Sequence, residues 1–179
     1  MKMFAPNTYR LTAASPNLRM VLTLFLLMTA LGFATNMAMT YQQTHFDLKG
    51  ISEYYRGAKD ASGELIVYPK SVADLLWNSH VHLFMMPVVL LILCHIFYMT
   101  SAPGTLKKGL TWIVFLSAFA EVGAPWLIRF VSPAFAVVMA LSGSLLGIGM
   151  LALMAVPLYE IWCVARESNG PRGERENAL

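Results

Sequence analysis

The chain has 179 residues, 57% hydrophobic and 13% charged, with a formal charge of +3; soluble domains run nearer 45–50% and about 25%. Its length suits one domain. The apolar residues are gathered in blocks of about 20, enough to cross a bilayer core of roughly 30 Å. That excludes an ordinary soluble core, built from shorter amphipathic segments, and the basic residues sit near the block ends, where they set topology and do not read as a nucleic-acid surface.

The sequence predicts an all-α integral membrane four-helix bundle, a single membrane domain over residues 1–179. The first helix is expected from about Met20 to Met39, behind Arg10 and Arg19; it ends without a small-residue cleavage site and reads as a retained anchor. Residues 40–71 form the one sizeable extramembrane piece, with Phe46, Tyr54, Tyr55 and Tyr68 among charges. Aromatics so placed read as an interfacial cap over the bundle end, with a partner-docking surface as the alternative. In the second helix, expected over about 72–100, Ser71 and Asp74 make an S-x-x-D start signal and Pro103-Gly104 the stop. The third is expected over about 110–128. The fourth, about 132–162, opens with Ser132-Pro133, a capping serine followed by proline at the first helical position. Only Arg129 to Ser132 separate the last two, which makes them a tight antiparallel hairpin. The polar tail from about residue 167 to 179 is expected to be disordered.

Lysine and arginine in the short flanks orient the spans. Lys2, Arg10, Arg19, Lys107, Lys108, Arg166, Arg172 and Arg175 fall on the side of the termini. Lys49, Arg56, Lys59, Lys70 and Arg129 fall on the other, where Asp47, Glu53, Asp60, Glu64 and Asp74 offset them. The balance places both termini in the cytoplasm of a bacterial-type inner (plasma) membrane and residues 40–71 outside.

Two cysteines, Cys94 and Cys163, with no CxxC or CxxCH, give no support to a disulfide scaffold, a zinc ribbon or covalent haem attachment. GxSxG, GxxxxGK[ST], GxGxxG and HExxH are also missing, which removes the common hydrolase, kinase and dinucleotide-binding patterns. Gly143 and Gly147 make a GxxxG, which serves close packing inside the bundle or association of two copies. Trp77, Trp112, Trp126 and Trp162 fall near span ends as interfacial anchors.

Three of the four histidines, His80, His82 and His95, lie in the second helix, and an intramembrane histidine is by default a functional candidate whose partner should be sought. On an ideal helix His80 and His95 are about 60° apart in direction and about 22 Å apart along the axis, whereas His82 points roughly 160° from His80. Pro87 lies between and softens these angles. Interhelical hydrogen bonding without a cofactor is the plainer reading for each of them.

Glu121 is the one acid well inside a predicted span, at the depth of Asn36, Asn78, His80 and His82. A buried carboxylate must pair or take up a proton. Pairing with a histidine or with Arg129 is the structural reading; a proton acceptor beside a quinol or haem site is the functional one. Asp74 and Glu160 are expected at span ends, within reach of water.

The second helix, SHVHLFMMPVVLLILCHIFYM, resembles the ligand-bearing helix of membrane b-type cytochromes. The resemblance implies haem b with His80 and His95 as axial ligands and His82 or His45 completing an outer site, since neutral imidazole ligates haem iron and a bundle holds porphyrin between facing helices. The third and fourth helices contain no histidine, so the missing ligands would come from a second copy or another subunit, or from Met37, Met39 or Met139. The function so implied is that of a small b-type cytochrome or a membrane subunit of an electron-transfer assembly exchanging electrons with quinol, with Glu121 as the catalytic group that assists proton release. Two other readings stay open: a non-catalytic scaffold that binds a partner, and a metal-handling protein using His80, His82 and His95 with His45. A transporter is less suited, because four helices without inverted repeats or discontinuous spans leave little room for alternating access.

Overall fold

The computed structural model describes residues 10–164; the expected disordered tail and Lys2, Arg166, Arg172 and Arg175 lie outside the described residues. Four helices are long and apolar enough to cross a membrane, and they form the expected all-α integral membrane bundle.

Helix α1 runs from Pro16 to Thr44, longer at both ends than its apolar run. Capping groups set helix ends, not the limits of hydropathy. Ser15 accepts from the Leu18 N–H with proline at the first helical position, and His45 ends the helix in the left-handed conformation (φ 50°). The extramembrane piece is also more ordered than a loop. It holds α2 (Leu48–Arg56) and a two-stranded hairpin of β1 (Ala58–Lys59) and β2 (Leu65–Val67), antiparallel with Ala58 opposite Val67. Gly50 lets α2 approach the end of α1, because a Cβ there would collide with the Thr44 carbonyl. At the hairpin turn Asp60 Oδ1 accepts from the Ser62 N–H (2.8 Å), the Ser62 hydroxyl (2.6 Å) and the Glu64 N–H (2.9 Å). These bonds, the Ser62 hydroxyl above all, hold the Asp60 carboxyl below the usual range.

Helix α3 (Val72–Tyr98) begins with the complete capping box that Ser71 and Asp74 signal: the Asp74 N–H donates to Ser71 Oγ, and Asp74 Oδ2 accepts from the Ser71 N–H. Helix α4 spans Gly104–Phe130. It starts before the apolar run, because Pro103 is the helix entry and Lys107 and Lys108 ride in its first turns. Ser132-Pro133 opens a 3₁₀ turn (Pro133–Phe135), after which α5 (Ala136–Tyr159) runs into a π turn over Glu160–Val164.

Helices α4 and α5 form the most extensive helix pair, and α3 packs on both. Gly149 of α5 sits directly on Val114 of α4. The GxxxG glycines are used inside the chain: Gly143 faces Glu121 of α4, and Gly147 faces Phe33 of α1, 3.6 Å from where a Cβ would be. Both glycines therefore serve packing within the chain and remain half-buried. Helix α1 touches the bundle lightly. Leu26 and Thr44 are its buried residues, and Trp162 Nε1 donates to Thr23 Oγ1 at 3.0 Å. Leu24, Leu27, Met28 and Leu31 are exposed on α1, as are Leu83, Phe84, Leu91, Phe119 and Leu141 on the other spans. Large apolar side chains facing outward around the whole bundle fit a hydrocarbon solvent.

Four spans bring the first and last described residues to one end of the bundle. There the Leu11 N–H donates to the Met99 carbonyl, and Glu160, 3% exposed, accepts the Ser101 N–H through both carboxylate oxygens at 2.8 Å. Glu160 was expected within reach of water; instead it is buried against the α3–α4 turn. The other end is closed by α2, whose Ile51 and Tyr55 pack with Leu75, Ile128 and Ala136 from the ends of α3, α4 and α5. Of the expected aromatic cap, Tyr54 and Tyr55 lie on this helix, while Phe46 and Tyr68 flank it and are exposed.

Candidate functional site

A polar cavity of about 180 Å³ opens beneath α2 at the loop end of the bundle. Two helical stripes face each other across it. Helix α1 supplies Asn36, Thr40 and Gln43, and α3 supplies Asp74, Asn78 and His82. In each stripe the residues recur at three- or four-residue intervals, the spacing that places side chains on one helix face. Tyr54 and Tyr55 lie at the top, Lys70 enters from the hairpin side, and Glu121 of α4 and Met139 of α5 complete the lining.

Glu121 is held by α5, not by Arg129 or a histidine. Ser142 Oγ donates to its Oε1 at 2.6 Å, and the missing side chain of Gly143 leaves the space, since a Cβ there would lie 3.2 Å from the same oxygen. Arg129 is committed elsewhere: its Nε donates to the Lys70 carbonyl at 3.0 Å.

His82 Nδ1 lies 2.9 Å from the Asn78 carbonyl. A carbonyl only accepts, so Nδ1 donates this bond, and in the neutral imidazole Nε2 is the nitrogen with the lone pair. Lys70 Nζ sits 4.2 Å from the centre of the Tyr54 ring, and the Lys70 backbone N–H donates to the Tyr55 carbonyl. Burial, then the neighbouring Tyr54 and Glu121, push the Tyr55 phenol well above its usual range, so Tyr55 stays neutral as a hydrogen-bonding group. The cavity thus offers two carboxylates, Glu121 and Asp74, an imidazole, an ammonium group, two phenols and several amides and hydroxyls, in a wall mixing donors and acceptors.

The other histidines face elsewhere. His80 is exposed on the outer side of α3, with its ring 4.9 Å from Phe84 and 6.3 Å from Trp77. His95 is exposed on the same helix. His45 caps α1 and meets the Tyr41 ring edge-on at 5.5 Å. Among the described residues no three His, Cys, Asp or Glu side chains gather closely enough to hold a metal ion, so His80, His82 and His95 are not one metal set. Nor do the residues fit a haem enclosed within one chain. The two imidazoles that share a face, His80 and His95, are exposed, and His82, which turns inward, lines a polar cavity and an apolar groove whose walls include neither of them.

Reading the sequence singled out Glu121 and His82 but missed the two stripes opposite each other. Their signal was present in the spacing of Asn36, Thr40 and Gln43 and of Asp74, Asn78 and His82.

A family model described as a transmembrane helical domain matches residues 45–169. The chain belongs to this family. The matched part takes in α2, the hairpin and α3 to α5, and so every cavity-lining residue except the three that α1 contributes. No curated protein and no solved structure gives a significant match.

Proposed function

We propose that this transmembrane helical domain is the membrane subunit of an electron-transfer assembly, and that its loop-end cavity binds the head group of a quinol and takes a proton from it. Glu121 carries this reading: a carboxylate inside a span, held by Ser142 and lining the same polar cavity as His82. A quinol gives up its hydroxyl protons only where acceptors wait for them. Glu121 and His82 Nε2 are such acceptors, while Asn78, Gln43 and Tyr54 can donate to quinone carbonyls. The electrons leave for a one-electron acceptor on a partner subunit. The distribution of Lys and Arg favours placing this end outside the cytoplasm, so protons would be released there. The head group is not an anion, because Glu121 and Asp74 line the cavity and an intramembrane charge needs a partner of opposite sign.

The test is binding of a quinol analogue, kept reduced, to the full chain purified in detergent. Wild type should bind it with a pH-dependent affinity. Glu121→Gln should bind at least about tenfold more weakly and lose the pH dependence, a removed charge-assisted hydrogen bond being worth roughly that much. Equal binding by wild type, Glu121→Gln and His82→Ala would overturn the proposal. The second reading, a non-catalytic scaffold, draws on the bare outer surface of α1 and on His80 and His95 turned away from their own bundle. Co-purification of a partner with no quinol binding would select it.

A further inference from the structure

Extending the quinol reading on which it rests, we infer that the ligand carries a long apolar chain, and that this chain leaves the cavity past His82 along a groove between α3 and α4. His82 lines two concavities. On one side is the polar cavity. On the other is an apolar groove of about 120 Å³, whose walls include Met86, Pro87 and Leu90 of α3 and Ala118 and Val122 of α4. The lining changes from polar to apolar at this one residue, in the order that a head group and its tail require.

The groove also faces the bilayer. Leu83 and Phe119 on its rim are exposed on the outer surface of the bundle. A ligand dissolved in the membrane can therefore enter sideways, sliding its tail between the helices while its head reaches Glu121 without crossing water. Helix α2 lies over part of the cavity with Tyr54 and Tyr55, while Asn36, Gln43 and Asp74 of the wall stay exposed; the groove adds a lateral route from the bilayer. A phospholipid is the less suited amphiphile. Its phosphate would meet Glu121 and Asp74, and the one cation in the lining, Lys70, already stands over the Tyr54 ring. A neutral isoprenoid quinol has the matching chemistry: a compact head that forms hydrogen bonds and a wholly apolar chain.

The experiment compares two probes, both kept reduced, on the full chain in detergent: a tailless dimethoxymethylbenzoquinol, and the same head with a decyl chain. Met86→Trp fills the groove without touching the cavity, with Met86→Leu as the conservative control and a melting curve to establish that each variant is folded. Wild type and Met86→Leu should bind the decyl form about tenfold more tightly than the tailless one, and Met86→Trp should lose most of that advantage while binding the tailless form unchanged. A decyl chain also partitions into the micelle, so the deciding comparison is between variants at constant detergent. If Met86→Trp keeps the full decyl advantage, or if wild type shows none, the groove inference is overturned and the head-group reading stands. If neither probe binds, the quinol reading fails and takes the inference with it. If short-chain phosphatidylglycerol displaces the decyl form from wild type but binds Met86→Trp poorly, the groove belongs to a phospholipid and the inference is overturned.

Discussion

Ser142 Oγ donates a 2.6 Å hydrogen bond to Glu121 Oε1 across the α4–α5 contact. The pair joins the chain's tightest helix pair to its polar cavity, so stability and ligand chemistry are coupled there. Removing the hydroxyl with Ser142→Ala leaves the carboxyl without its protein partner and should cost about 1–3 kcal/mol. In a double-mutant cycle with Glu121→Gln, the coupling measured by unfolding in detergent should be about 0.5–3 kcal/mol. Strict additivity of the two substitutions would show that the bond contributes nothing.

Gly149 meets Val114 where α4 and α5 approach most closely. Gly149→Leu should lower stability by about 1–3 kcal/mol through overpacking, and Val114→Ala should restore part of the loss. Gly32→Ala, at a site with open space around it, should be neutral or slightly stabilising, because it removes the entropic cost of glycine in a helix. The two thermal midpoints, compared side by side, check the pair.

Arg56 Nη1 donates to the Ile128 carbonyl at 2.8 Å, placing a cation at the C-terminal end of α4 where the helix dipole favours it. Arg56→Ala should cost about 1–2 kcal/mol and loosen α2 over the cavity. Faster amide exchange confined to residues 48–56, with α3 to α5 unchanged, is the expected signature. Uniform protection across both forms would contradict the clamp.

Asp60 titrates below an ordinary aspartate because its three hydrogen bonds favour the charged form. A lowered folded pKa means that its contribution is present above the unfolded value of about 3.9 and is lost as pH falls through the folded value. Amide chemical shifts of Ser62 and Glu64 should therefore hold steady down to about pH 4 and move only below it. Asp60→Asn should abolish that transition. A midpoint at or above the ordinary aspartate value would refute the turn as the cause.

Hydropathy and capping signals carried the architecture a long way. Four spans, the capping box at Ser71 and Asp74, and the Ser132-Pro133 entry were all readable, because a bilayer demands long apolar runs and helix starts need particular side chains. The same reading shortened α1 by following its apolar core, although Ser15-Pro16 carried the signal already recognised at Ser132-Pro133. It also left α2 as loop, since nine residues among charges show no span. The pairing of Glu121 with Arg129 or a histidine was a guess about neighbours in space, and the hydroxyl of Ser142 took that place.

What the sequence by itself determined is a membrane bundle with an acid and three imidazoles at span depth. Helical geometry required His80 and His82 to point apart, yet it could not say which of them faced the interior. Tertiary packing made that choice: Asn78 and His82 stand half-buried on the cavity side of α3, opposite Glu121 of α4, and His80 and His95 are left on the outer surface. The physical reason is that helix direction and face are local properties, while the identity of a neighbouring helix depends on contacts far apart in the chain. The cavity exists only once α1, α2, α3, α4 and α5 have all supplied a wall.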